Sequence, residues 1–115
     1  MSDPRSRVTT HVLDATSGRP AADVEVSMER QVGGGWQWVA AGRTDADGRI
    51  SELGPVDLER GVYRVSFAVG AYFALREQPT FYPEVTILFT LDDAQEHYHV
   101  PLLLSPYAYS TYRGS

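Results

Sequence analysis

Three histidines are the side chains of this sequence best suited to acid–base chemistry, and each lies in a stretch that reads as a β-strand. They are His11, His97 and His99. An unperturbed imidazole has a pKa of about 6.5, which suits a general base near neutral pH. His97 and His99 are two residues apart, so on a strand their side chains share a face. The alternative is that each is an ordinary strand residue without a functional role.

The histidine pair also permits a zinc hypothesis, with His11 as a third ligand. Nothing in the sequence fixes the distance from His11 to the pair, so this hypothesis stays subordinate. Arg49 is another candidate because it directly follows the turn "DADG", although an arginine there is also typical of an ordinary surface.

Three other kinds of site are excluded by local sequence. A calcium loop over "DADG" would place Arg43 and Gly54 at ligand positions, where neither residue can serve. The glycines at 33–35 lack the following lysine and helix signal of a phosphate loop. No serine lies in the context of a nucleophile elbow, so a serine-hydrolase triad is unsupported.

Two strands each present a histidine on a semi-apolar outer face. In "HYHVPLLLS", His99 lies opposite the strand's most apolar residues, while in "RVTTHVLDA" His11 shares a face with Thr9 and Leu13. These outer faces are not typical of surfaces in contact with water. We therefore expect something to cover them, and a second subunit is the simplest cover.

The elements that would position these residues are short and alternate with period two. Strands recur about every ten residues, with turns at "TSGRPAAD", "GGG" and "DADG" between them. The segment "GAYFALREQP" breaks the alternation and predicts one short helix that Pro79 ends. The pattern predicts an all-β protein, an antiparallel sandwich of about eight strands with one short helix.

Size and composition predict a single domain spanning residues 1–115, with a mass of 12.8 kDa. The formal net charge of −5 leaves no basic stripe, so we expect no nucleic-acid partner. There is no cysteine, which excludes disulfides and thiolate chemistry. The N-terminus lacks the apolar region of a secretory signal, and no apolar run is long enough to span a bilayer, so we expect a cytoplasmic protein without a membrane partner.

Three segments together resemble a known family. "THVLDATSGRPA", "TDADGR" and "HYHVPLLLSPYAYSTYRGS" are similar to the transthyretin-like proteins, and more narrowly to the 5-hydroxyisourate hydrolases among them. The resemblance runs from about Val8 to Ser115. The ending "YRGS" is its most discriminating part, because it is typical of the hydrolases and not of transthyretin itself.

The resemblance implies a fold, a reaction and a set of residues. The fold is the transthyretin-like sandwich, assembled as a homotetramer whose central channel is lined by the outer faces described above. The reaction is hydrolysis of 5-hydroxyisourate to 2-oxo-4-hydroxy-4-carboxy-5-ureidoimidazoline in urate degradation, without cofactor or metal. The implied catalytic residues are His11, Arg49 and His99, and the implied substrate contacts are His11, Arg49, Tyr112, Arg113 and Ser115.

Two further classes of protein stay open beside the hydrolase. A transthyretin-like carrier would use the same channel for a small aromatic ligand, without a basic pair of histidines. A structural or adhesion sandwich would leave the polar residues unexplained. In the hydrolase interpretation, the last strand "YAYSTYR" places Ser110 and Tyr112 on one face, and Tyr112 orients the substrate.

Overall fold

A computed structural model describes residues 7–93 and 96–114 of the chain. Across these residues the regular structure consists of nine strands and one short helix, which lies between the sixth and seventh strands. The elements in chain order are β1 Val8–Asp14, β2 Arg19–Pro20, β3 Glu25–Val32, β4 Gly35–Arg43, β5 Arg49–Ile50, β6 Gly61–Phe67, α1 Val69–Leu75, β7 Val85–Leu91, β8 Tyr98–Ser105 and β9 Ala108–Thr111.

The strands form two sheets. The first sheet has the order β2-β1-β8-β9, with β5 paired to β1, and the second has the order β4-β3-β6-β7. Every pairing is antiparallel except that of β1 with β8, which is parallel. The predicted all-β sandwich is confirmed, while the parallel pair is a feature that the alternation of the sequence did not predict.

The core lies between the two sheets and is built by the alternation of each strand. In β1, Val8, Thr10 and Val12 are buried, whereas Thr9 and His11 between them are half-buried on the other face. In β6, Tyr63, Val65 and Phe67 are fully buried in the same way. Side chains of period two thus supply a continuous apolar layer, and the burial of that layer is the main favourable term in folding.

The helix differs from its prediction at both ends. It begins at Val69 and ends at Leu75, four residues before Pro79. Its end is set by the backbone, because Glu77 has a positive φ of 53°, which an α-helix cannot accommodate. The predicted helical residues Arg76 and Glu77 therefore lie just beyond it.

A buried hydrogen bond ties the helix to β1. The Tyr72 hydroxyl donates to Asp14 Oδ2 at 2.8 Å. Burial, together with the neighbouring Asp14 carboxylate, raises the pKa of Tyr72 to about 12, so the hydroxyl remains a donor at every physiological pH. Within the described ranges 7–93 and 96–114, no helix is both long and apolar enough to cross a membrane.

Candidate active site

The outer face of the first sheet brings the predicted histidines onto adjoining strands. The parallel register of β1 and β8 pairs Thr9 with His99 and His11 with Pro101. All four therefore share one face of the sheet, and His11 and His99 are diagonal neighbours across the two strands. Thr9, His11 and His99 are half-buried, so their side chains are accessible from outside the sandwich.

A tight turn delivers Arg49 to the same face. Asp45 Oδ1 accepts hydrogen bonds from the backbone N–H groups of Asp47 at 2.9 Å and Arg49 at 3.0 Å. Gly48 has a φ of +74°, a backbone conformation that favours glycine. A Cβ at this position would also collide with the carbonyl oxygen of Val12. Its own carbonyl accepts a 2.7 Å bond from the Val12 N–H, which fixes the turn against β1.

Arg49 then pairs with β1 directly opposite His11. The predicted strand "RISEL" is real only over Arg49 and Ile50, a two-residue strand that carries the arginine to the histidine face. Arg49 is exposed, so its guanidinium is available to a bound anion or carbonyl oxygen.

His99 is the best-defined acid–base group of the site. Its Nδ1 lies 2.8 Å from Thr9 Oγ1, and the same oxygen lies 3.0 Å from Nε2 of His97. A shallow depression of about 290 Å³ opens beside these groups. The residues that line it are Thr9, Thr10, Arg49, Ile50, Ser51, His97 and His99.

The pKa of His99 is lowered from its ordinary value of 6.5. Burial is the largest cause, followed by the positive charge of Arg49 and by charge on His11 and His97. Burial removes water that would stabilise the imidazolium, and a neighbouring cation repels it. His99 is therefore neutral at pH 7 and can accept a proton, which is the state that a general base requires.

The C-terminal segment closes over the other side of His99. The Gly114 N–H donates to the His99 carbonyl at 2.9 Å in an antiparallel bridge. A Cβ at Gly114 would collide with Cδ2 of the His99 ring, so only glycine allows the chain to pass this close. The tail is thereby held against the proposed base by backbone contact.

Arg113 and Tyr112 have separate environments. The Arg113 guanidinium lies 2.8 Å from Glu96 Oε2 and 4.4 Å from the centre of the Tyr98 ring, so it is engaged within the chain. Tyr112 lies beyond the end of β9, and 59% of its surface is exposed. It lines a second depression, of about 270 Å³, which His99 and Arg113 also border.

The structure thus brings together four of the six predicted site residues. Of the other two, one has its side chain directed elsewhere and one lies outside the described residues. His11, Arg49 and His99 lie on one face, and Tyr112 borders His99 from the neighbouring depression. The side chain of Arg113 points to Glu96, so its substrate contact stays a prediction. Ser115 lies outside the described residues, and its predicted role stays a prediction as well.

Thr9 was missed by the sequence reasoning, although its hydroxyl contacts both His97 and His99. Alternation alone placed Thr9 on the face of His11, but it could not place β1 beside β8, so the contact with the two imidazoles was not predictable. The zinc hypothesis gains no support here, since no group of three or more His, Cys, Asp or Glu side chains that could hold a metal occurs in the described part of the chain.

Two larger depressions lie away from the histidines. The larger of these two, of about 710 Å³, runs along the outer face of the second sheet and includes Glu25, Arg43 and Trp38. Glu25 and Arg43 form an ion pair with each other, so their charges are already matched. Size alone would favour this depression as the active site. The depression beside His99 is the better candidate, because a neutral imidazole and the Arg49 guanidinium both border it.

Comparison with known proteins identifies close relatives. The profile of the HIUase/Transthyretin family matches residues 8–114. The chain is 48% identical over 114 residues to a 5-hydroxyisourate hydrolase of Caulobacter vibrioides, covering 96% of this chain and 99% of the relative.

Two solved structures share the fold. A 5-hydroxyisourate hydrolase of Klebsiella pneumoniae superposes with a TM-score of 0.85 at 34% identity, covering 96% of this chain and all of the other. Sea bream transthyretin in complex with thyroxine superposes with a TM-score of 0.89 at 33% identity, covering 94% of each chain. The fold is therefore common to an enzyme and a thyroxine-binding protein, and only the side chains can separate the two.

Proposed function

This chain belongs to the HIUase/Transthyretin family, and from that premise we propose that it hydrolyses 5-hydroxyisourate. Water opens a ring amide of this product of urate oxidation and gives 2-oxo-4-hydroxy-4-carboxy-5-ureidoimidazoline. Relatives named 5-hydroxyisourate hydrolase, 48% identical over nearly the whole chain, support the substrate. The one structural observation that carries the chemistry is that a neutral His99 and an exposed Arg49 border the same depression.

His99 is the proposed general base. A water in the depression gives a proton to the free ring nitrogen of His99 as its oxygen attacks the amide carbonyl. The lowered pKa keeps that nitrogen unprotonated near neutral pH.

Arg49 and His11 serve the later parts of the same step. Negative charge develops on the former carbonyl oxygen, and the Arg49 guanidinium stabilises it with directed N–H groups. His11, which pairs across the backbone with Arg49, donates a proton to the leaving ring nitrogen. The amide C–N bond then breaks and a carboxylic acid forms, with one proton taken up by His99 and one given by His11. Ionisation of the acid to the carboxylate releases a proton to solvent.

Tyr112 is the proposed orienting residue from the tail, through a hydrogen bond and ring contact to the substrate. Arg113 and Ser115 complete the proposed substrate contacts. Arg113 acts indirectly, because its ion pair with Glu96 holds the C-terminal segment in place. The proposal includes a homotetramer that covers the outer face of the first sheet, a single domain over residues 1–115 and a cytoplasmic location.

The alternative is a carrier of a small aromatic ligand, which the similarity to thyroxine-bound transthyretin favours. Fold similarity does not separate the two functions, because the carrier and the hydrolase superpose almost equally well. A carrier site needs apolar contact to an aromatic ring, whereas this depression holds two histidines and an arginine. Those residues favour hydrolysis.

The deciding experiment generates 5-hydroxyisourate in situ from urate and follows its absorbance decay with and without the protein. We expect clear acceleration, and we expect His99→Asn to lower turnover roughly 100-fold or more if His99 is the base. A parallel titration with thyroxine tests the carrier. An unaccelerated decay together with saturable thyroxine binding would reverse the assignment.

A further inference from the structure

Thr9 makes the most specific side-chain contact of the site, and the reaction described above gives it no role. Its hydroxyl oxygen lies 2.8 Å from Nδ1 of His99 and 3.0 Å from Nε2 of His97. The three side chains thus form a continuous line from a half-buried imidazole to an exposed one. Strand pairing does not require this contact, because β1 and β8 pair through their backbones.

The hydrogen count restricts how this line can be arranged. A hydroxyl carries one hydrogen, so Thr9 can donate to only one of the two rings and accepts from the other. If Thr9 donated to His99 Nδ1, the hydrogen of neutral His99 would sit on Nε2 and no lone pair would be left for substrate chemistry. If His99 Nδ1–H donates to Thr9 instead, Nε2 is free, and the Thr9 hydroxyl donates to His97 Nε2.

The surroundings of His99 favour the second arrangement. The charged and titratable groups that act on the ring are Arg49 from β5, His11 from β1 and His97 from the segment before β8, and all three are basic. Near the Arg49 cation, an N–H on the free edge of the ring is disfavoured, whereas a lone pair there is stabilised. On the remaining side, the Cδ2 edge of the ring packs against Gly114, which offers no titratable group.

We propose that Thr9 is a positioning residue that holds the Nδ1 hydrogen of His99, and that Thr9 and His97 together carry the proton which His99 takes from water out to solvent. This inference rests on the proposed hydrolase function and adds the route of the proton to it. In this proposal, His97 is the group that releases the proton to solvent, rather than a base or a metal ligand.

Each transfer along the line is balanced. Nε2 of His99 takes a proton from the attacking water, and the hydrogen on Nδ1 passes to Thr9 Oγ1 as the Thr9 hydrogen passes to Nε2 of His97. His99 is then neutral again, now with its hydrogen on Nε2, and His97 carries the positive charge. His97 is exposed, so it releases the proton to water or buffer. The line is reset when Nε2 of His99 gives its hydrogen to solvent, His97 takes one up from solvent, and the two shared hydrogens move back toward His99.

Two substitutions at one position test the inference kinetically. Thr9→Val keeps the β-branched shape that suits a strand but removes the hydroxyl, and Thr9→Ser keeps the hydroxyl. We expect Thr9→Val to lower kcat roughly tenfold with little change in KM, about the effect of losing one oriented hydrogen bond. Thr9→Ser should restore most of the rate.

Buffer dependence separates proton transfer from simple support of the fold. In His97→Gln and Thr9→Val, kcat should rise with the concentration of imidazole buffer at fixed pH and ionic strength, because the buffer replaces the missing exit. The wild-type rate should not respond. Equal kcat, KM and buffer response in wild type, Thr9→Val and His97→Gln would overturn the inference.

A nitrogen-15 NMR measurement of the histidine rings tests the positioning half without turnover. Above its pKa, His99 of the wild type should carry its hydrogen on Nδ1, and Thr9→Val should shift it toward Nε2. A wild-type His99 with its hydrogen on Nε2, or a tautomer unchanged in Thr9→Val, contradicts the proposal. A wild type that fails to accelerate 5-hydroxyisourate decay would instead refute the hydrolase function, while the NMR result would still judge the role of Thr9.

Discussion

At the scale of single residues, the state of His99 follows from what surrounds it. Burial comes first among the causes that lower its pKa, and the Arg49 cation second. The imidazole is neutral, and able to act as a base, at pH values above its folded pKa, and it is protonated and inactive below. The acid limb of kcat/KM, which reports the free enzyme, should therefore have its midpoint below 6.5.

Removing the Arg49 charge should move that limb in a defined direction. In Arg49→Gln, the imidazolium of His99 loses a repelling neighbour, so the pKa of His99 rises and the midpoint of the acid limb shifts to higher pH. The plateau rate should fall as well, because the developing oxyanion loses its partner. A pH series of kcat/KM measures both effects independently.

Arg19→Gln is the matched control for this measurement. Arg19 is an exposed arginine of the same sheet, and it is not among the groups that shift the His99 pKa. Arg19→Gln changes the net charge of the protein by the same amount as Arg49→Gln. Because Arg19 does not act on His99, the midpoint of the acid limb should not move. A midpoint that moves equally in both variants would show that net charge, not the site, governs the limb.

Alternation along strands was sufficient to predict which residues share a face with His11 and with His99. It could not predict that β1 lies beside β8 in parallel, because two strands 90 residues apart carry no local signal of their pairing. The contact between Thr9 and His99 depends on that pairing, so it could only be seen in the structure. The roles of His11, Arg49 and Tyr112 came from the family resemblance, and they stay predictions.

At the scale of elements, the turn before β5 positions Arg49. Gly48→Ala would place a Cβ against the Val12 carbonyl at a φ of +74°, a conformation that alanine adopts only with strain. We expect a loss of about 1–3 kcal/mol in the free energy of unfolding and a lower kcat/KM as Arg49 is displaced. Urea unfolding and the decay assay measure the two effects.

Gly34→Ala provides the comparison for Gly48→Ala. Gly34 lies in the turn between β3 and β4, and a Cβ there would meet no atom within 4 Å. This substitution also reduces the freedom of the unfolded chain, so stability should be unchanged or slightly higher. If both variants lost the same stability, crowding at Gly48 would not be the cause.

The tail is a second element whose role can be isolated. Removing residues 112–115 deletes Tyr112, the Arg113–Glu96 ion pair and the Gly114–His99 bridge, but no residue of the buried core. We expect activity to be abolished while the sandwich still unfolds cooperatively near the temperature of the full chain. Circular dichroism melting and the decay assay give the two readouts, and a truncated chain with full activity would refute a role for the tail.

The elements themselves were predicted with different success. Strands with clear alternation, such as β3 and β6, match the prediction because one face of each is buried. The helix was predicted too late, since propensity at Ala74 to Glu77 was outweighed by the packing of Val69, Tyr72 and Phe73 against the core. The expected strand after "DADG" shrank to two residues, and the expected single domain stays a prediction.

At the scale of the whole molecule, the arrangement of exposed apolar residues favours self-association. β9 is one edge strand of the first sheet and β7 is one edge strand of the second, with β2 and β4 at the opposite edges. Exposed large apolar side chains cluster on and beside the β7 and β9 edges, with Leu88 63%, Tyr107 65% and Tyr109 41% exposed. An edge strand offers unpaired backbone groups, and with apolar side chains it is suited to pairing with another copy of the chain.

The proposed homotetramer therefore predicts a mass in solution of four times the 12.8 kDa chain, measured by light scattering after gel filtration. Leu88→Asp places an ionised carboxylate on the β7 edge, so burying that edge becomes costly and the mass should fall. The isolated sandwich should tolerate the change, because Leu88 is exposed in the single chain. Leu75→Asp adds the same charge at an 82% exposed position of α1 and should leave the tetramer intact. An unchanged mass in Leu88→Asp would exclude the β7 edge from the interface, and a monomeric wild type would refute the tetramer.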